Sequence, residues 1–217
     1  MTATAIMQAR RDGLVAESER LTDMVGTLDA AALRAGATKD ALVHSVERLL
    51  TEVREGLPLT PEKYSLAKRV ADVEALRQQI ASAKWVTPAL MDEYNSAVQR
   101  DVNLSAANEY FFAKITVTDR FGTRHEKWAE CLMNGNWSVY YRTLDGKNIG
   151  IYENLEPEAA APLWGVNEGL PEATQKAIEA RVVKSRVEGF ETKIEFLAKK
   201  QLADESDTQF QRNFDSL

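Results

Sequence analysis

Apolar residues along this chain follow three successive periods. From Thr4 to about Gln99 they recur every three or four residues, as on one face of a helix; from Tyr110 to Tyr152 they alternate with polar ones, as in a strand; from Pro171 to about Leu202 the helical spacing returns. Helical arms around one small sheet are predicted. In the first segment Leu14, Leu21, Leu28 and Ala35 fall seven apart, with Met24 and Ala31 at the complementary offset, which is a coiled-coil-like seam. Gly13 and Gly26 interrupt it at about 1 kcal/mol each relative to Ala. Gly36 is expected to stop this helix and Thr38 to cap the next, on which Leu42, Val46, Leu49 and Val53 form a stripe ending near Gly56 and Pro58. Thr60-Pro61 and Thr87-Pro88 each place a capping hydroxyl before a proline, so a helix is expected to start at each, the former carrying Leu66, Val70, Val73, Leu76 and Ile80. Short connections imply an antiparallel helical hairpin or bundle.

Alternation from Tyr110 predicts a four-stranded antiparallel meander at about 110–118, 124–132, 136–143 and 147–152, with turns at Phe121-Gly122, Asn134-Gly135 and Asp145-Gly146. One face is expected to hold Phe111, Ile115, Val117, Trp137, Val139, Tyr141, Ile149 and Ile151. The other then carries Tyr110, Phe112, Lys114, Tyr140, Arg142 and Tyr152. Prolines and glycines from Glu153 to Glu172 read as a linker that Trp164 pins to the body. Beyond it, Val183, Val187, Phe190, Ile194 and Leu197 in steps of four and three predict one helix over roughly 171–203, about 50 Å long. That exceeds the diameter of about 45 Å expected of a compact chain of this length. The stripe is therefore expected to be an oligomer seam, packed on a second copy or on the N-terminal helices. The fold class is α+β, divided as 1–103 (helical), 104–155 (meander), 156–170 (linker) and 171–217 (long helix and acidic tail).

Composition narrows the functions. With 44% hydrophobic and 28% charged residues, the chain is expected to be a folded, soluble protein. The opening MTATAIMQARRDG has no apolar run of the signal type, and no uncharged stretch approaches the roughly 20 residues of a membrane span. One cysteine, Cys131, excludes an internal disulfide and a Cys-based zinc site, so a cytoplasmic location is expected. The net charge of −6 is uneven: residues 110–152 hold six basic against four acidic side chains, whereas 153–217 hold eight against thirteen. Neither region forms the dense basic field of a duplex-DNA binder.

No catalytic motif occurs. His44 lies off the apolar stripe of its helix, and His125-Glu126 has no second histidine four residues on. Cys131 and His125, six apart on one strand, are about 20 Å from each other, too far for a nucleophilic pair. No phosphate-binding glycine loop is present. Ala32 and Gly36 mimic a helix-turn-helix, but Ser45 stands where that motif needs a buried hydrophobe. The aromatics are the functional-looking signal, since nine of the 17 fall in residues 110–152. A face of Tyr110, Phe112, Lys114, Tyr140, Arg142 and Tyr152 could stack single-stranded bases or serve as a protein hot spot, unless a helix covers it. In the tail, Phe210, Phe214 and Leu217 fall at i, i+4 and i+7, as in a helix that fills a groove on a partner. The expected function is a non-enzymatic interaction or assembly protein that self-associates through helical seams and binds a protein partner, with no cofactor and no metal. The alternatives are a single-strand nucleic-acid binder and an enzyme using Cys131, His125 or the sheet-edge acids.

Overall fold

The computed structural model describes the backbone of residues 3–118 and 121–215 and the side chains of residues 14–118 and 121–204. Three helices, α1 (Ala3–Arg54), α2 (Leu66–Ser82) and α3 (Pro88–Ser105), precede strands β1 (Asn108–Thr118), β2 (Arg124–Asn134), β3 (Ser138–Thr143), β4 (Ile149–Asn154) and β5 (Trp164–Asn167); helices α4 (Glu172–Lys184) and α5 (Phe190–Asp215) follow. The architecture is α+β. The antiparallel sheet has the order β1-β2-β3-β4-β5 and curls into a half-barrel whose outer strands do not pair.

The C-terminal part of α1 forms the helical core. Leu42, Val46, Leu49 and Val53, the expected stripe, are buried against Val73, Leu76 and Ile80 of α2 and Ala97 of α3. The start of α3 follows its sequence signal: Thr87 caps it by accepting a hydrogen bond from the Leu90 N–H at 3.3 Å, with Pro88 next. The signal at Thr60-Pro61 is displaced. There the Thr60 hydroxyl donates to the Tyr64 carbonyl, a 3₁₀ turn occupies Glu62–Tyr64, and α2 begins only at Leu66.

Five further expectations are corrected. Gly36 does not end a helix: α1 runs through it without a break, and a Cβ there would meet nothing within 4 Å. The sheet has a fifth strand, β5, made from the stretch read as linker; Trp164 opens it, stacked on Tyr152 and donating from Nε1 to the Glu55 carbonyl at 3.0 Å. The single helix over 171–203 is two, because Gly189 at φ +79° turns the chain between α4 and α5. Finally, β4 is rotated by one position from the expected alternation. Gly150 lies across from Tyr141 and Tyr152 from Val139, so Tyr152 faces the inside while Ile149 and Ile151 face out. A one-residue slip sends every side chain of a strand to the opposite face. Trp137, expected in the core, sits in the β2–β3 turn and is 71% exposed.

The concave face of the half-barrel is filled by Ile115, Val117, Ala129, Cys131, Met133, Val139 and Tyr141, closed by Leu57 and Leu104. Gly150 is required there: a Cβ would stand 2.6 Å from the Asn167 carbonyl and 2.7 Å from the Tyr141 hydroxyl. The convex face packs on Ile178 and Val182 of α4.

Candidate functional site

The aromatic and basic side chains of the convex face do come together, but under α4 rather than in the open. Strand pairing aligns Tyr110 with Leu132 and Tyr140, and Phe112 with Glu130 and Arg142. Tyr110 and Tyr140 pack into the cluster of Leu132, Ile178 and Val182. The Phe112 ring meets that of Tyr110 edge-on at 5.4 Å, and the Arg181 guanidinium lies 5.3 Å from the Tyr140 ring centroid. Lys114 alone of this group is exposed, 3.5 Å from Asp204 and 3.8 Å from Glu126. Tyr152 belongs to the opposite face.

At the centre of this layer is a residue the sequence did not mark, Glu130, which is fully buried. It accepts from the Tyr110 hydroxyl at 2.8 Å, from Arg186 at 2.7 and 2.9 Å, and from Arg142 at 3.2 Å; Arg142 also donates to Glu179 of α4 at 2.8 Å. Burial pushes the Glu130 carboxyl upward, but the hydrogen bonds from Arg186 and Tyr110 and both guanidinium charges outweigh it and leave its pKa below the ordinary carboxylate value. Burial and the Glu130 carboxylate drive the Tyr110 phenol well above its usual range. Because Arg186 lies in the turn between α4 and α5, this network fastens the corner of the helical layer to the sheet. The one sequence signal was a glutamate between Ala129 and Cys131 in the otherwise apolar run Trp128–Met133; its partner Arg186 lies far along the chain.

The proposed seam of Val183, Val187, Phe190, Ile194 and Leu197 does not share one helical face, since the α4–α5 turn divides it. Val183 and Val187 are 38% and 57% exposed, Phe190 and Ile194 are half-buried, and Leu197 is buried. Phe210, Phe214 and Leu217 lie outside the residues whose side chains are described.

A long apolar surface with no partner among the described residues lies on α1. Every side chain from Leu14 to Thr38 is exposed, including Leu14, Leu21, Met24, Val25 and Leu28 at 49 to 67%. Leu14, Ser18, Leu21 and Val25 line a shallow apolar groove along the helix. Contact with the body begins at Lys39, whose ammonium binds the Ala81 and Ala83 carbonyls at the C-terminal end of α2. At 1.5 Å per residue the bare stretch 14–38 extends about 37 Å.

Cys131 is buried, and burial raises its thiol far above the range in which a thiolate forms. His44 is exposed beside Glu47 on the same helix. Among the described residues, no three His, Cys, Asp or Glu side chains gather as metal ligands, and no helix is long and apolar enough to cross a membrane. Compared with known proteins, the chain matches no protein family, no curated sequence and no solved structure.

Proposed function

We propose that this chain is an assembly protein that pairs with a second copy of itself through the N-terminal half of α1. The observation that carries this reading is the bare apolar seam of residues 14–38 on a helix that continues into the body. A helix in water draws most of its stability from packing. This stretch has none among the described residues and also contains Gly26 and Gly36, each about 1 kcal/mol less favourable than Ala. A second copy laid along Leu14, Leu21, Met24, Val25 and Leu28 supplies the missing packing.

Size and charge favour the antiparallel arrangement, centred near Met24 and Val25. Large residues occupy the first half of the seam, whereas Ala31, Ala32 and Ala35 occupy the second, so an antiparallel pair sets Leu14 against Ala35 and lets large fit small. It also brings Arg20 to Asp29 of the partner twice over, where a parallel pair stacks Glu17, Asp23 and Asp29 on their own copies. The two bodies then sit at opposite ends.

Sedimentation of the full chain from about 1 to 100 µM is expected to give twice the mass of the 24.2 kDa protomer. Because the only native cysteine is buried, an introduced thiol reports geometry directly. Met24→Cys should form an intermolecular disulfide and Ser18→Cys should not. A monomer throughout refutes self-association, and equal cross-linking at both positions refutes the antiparallel register.

A further inference from the structure

We propose that the open side of the half-barrel, between the free edges of β1 and β5, is a binding site for a small organic monoanion with an apolar or aromatic body. The two edges bound a cleft of about 510 Å³ with Ile115 and Thr116 on one wall and Trp164 and Val166 on the other. That volume is within the roughly 300–1,000 Å³ of small-molecule sites, which pair apolar walls with a few directed polar groups.

The Trp164 wall is held by contacts within the chain. Trp164 is held by its bond to the Glu55 carbonyl and lies parallel to the Tyr152 ring within 7°, at a centroid distance of 6.4 Å. Leu155 closes over this wall because residue 165 is glycine; a Cβ there would come within 2.6 Å of its Cδ1. A fixed flat aromatic surface loses little entropy on binding.

The polar groups select an anion. The Thr118 N–H points into the cleft, where Glu168 accepts it at 3.1 Å. Alternation along the strand turns the N–H groups of Lys114 and Thr116 to the same side, away from β2. No main-chain partner meets them, since β1 and β5 do not pair. Arg124, which stands across from Thr118 on β2 and lines the cleft, is exposed and makes no ion pair among the described residues. A guanidinium beside strand-edge amides offers a carboxylate charge-assisted hydrogen bonds, while Glu168, the one acid among the described lining residues, is turned to the Thr118 N–H.

The test is calorimetric titration of the full chain with naphthalene-2-carboxylate and, as the neutral match, naphthalene-2-carboxamide. The carboxylate is expected to bind at one site per chain and more tightly than the amide. Arg124→Gln should weaken the carboxylate about tenfold and leave the amide within about twofold. Val166→Trp should abolish both by filling the cleft; if it fails to fold, Leu163→Trp on the exposed rim serves the same purpose. Binding should persist in the Leu21→Ala/Leu28→Ala protein, which separates this site from the α1 seam. The proposal is overturned if the carboxylate does not bind at millimolar concentration, if Arg124→Gln weakens both probes alike, if binding survives in the filled cleft, or if it disappears with the seam leucines.

Discussion

Replacing Leu21 and Leu28 by alanine together isolates the α1 seam from everything else in the fold. Both side chains are exposed within the chain, at 49% and 64%, and the body begins only at Lys39, so the protomer loses no packing of its own. Alanine is also the better helix former, which removes loss of helicity as a trivial explanation. In an antiparallel pair, by contrast, four leucines are buried, each worth about 1.5–3 kcal/mol on leaving water. The gross loss is about 6–12 kcal/mol per dimer, and half of the lower figure already shifts the dissociation constant about a hundredfold. Sedimentation equilibrium of wild type and variant over the same concentrations, with a thermal melt at a concentration where both are monomeric, separates the two effects. The variant should be monomeric where wild type is dimeric, with the melting temperature of the monomer nearly unchanged. Equal association of both proteins would refute the seam, and a large drop in the monomer's melting temperature would show that these leucines pack within the chain.

Glu130→Ala should destabilise the fold by about 3–5 kcal/mol in chemical denaturation, since it strips Arg142 and Arg186 of their shared carboxylate; a loss under 1 kcal/mol would show that α4 is held by its apolar contacts alone. Asp145 is lifted by burial, but bonds from Lys127, Thr143 and the Lys147 N–H bring its carboxyl down to about 2 from an ordinary 3.8. Its contribution, about 1 kcal/mol once solvent screening of this exposed group is allowed for, is present above pH 3.8 and is lost as the pH falls towards 2, so Asp145→Asn should flatten the stability–pH curve in that window. In the half-barrel, Gly150→Ala should cost about 1–3 kcal/mol by driving a methyl into the Tyr141 hydroxyl and the Asn167 carbonyl. Tyr141→Phe should be neutral or stabilising, because that buried hydroxyl has no hydrogen-bond partner among the described residues; both are read from denaturation midpoints.

What the sequence determined was local. Period and capping sufficed for the Leu42, Val46, Leu49, Val53 stripe, for the start of α3 at Thr87-Pro88, and for β1, β2 and β3, because each signal is complete within a few residues. The seven-residue spacing of Leu14, Leu21 and Leu28 was legible in the same way, and the structure places them as exposed side chains on α1. Tertiary structure decided the rest. Gly36 has the chemistry of a helix stop, yet α1 passes through it, since a glycine permits a left-handed turn without imposing one. The register of β4 follows from the fit of the Tyr141 ring over Gly150, a cross-strand match that no alternation pattern contains. Trp164 was legible as an anchor, but its place in a fifth strand depended on pairing with Asn154 and stacking on Tyr152 across a proline-containing loop. Tyr110, Phe112, Tyr140 and Arg142 were legible as one face; that α4 lies over Tyr110, Tyr140 and Arg142 was not, because the helix reaches them through the Val182, Ile178 and Glu179 contacts and through Glu130 meeting Arg186, pairings between residues far apart in the chain. Local order is written in neighbouring residues, whereas which face is covered depends on which distant segments return to bury it.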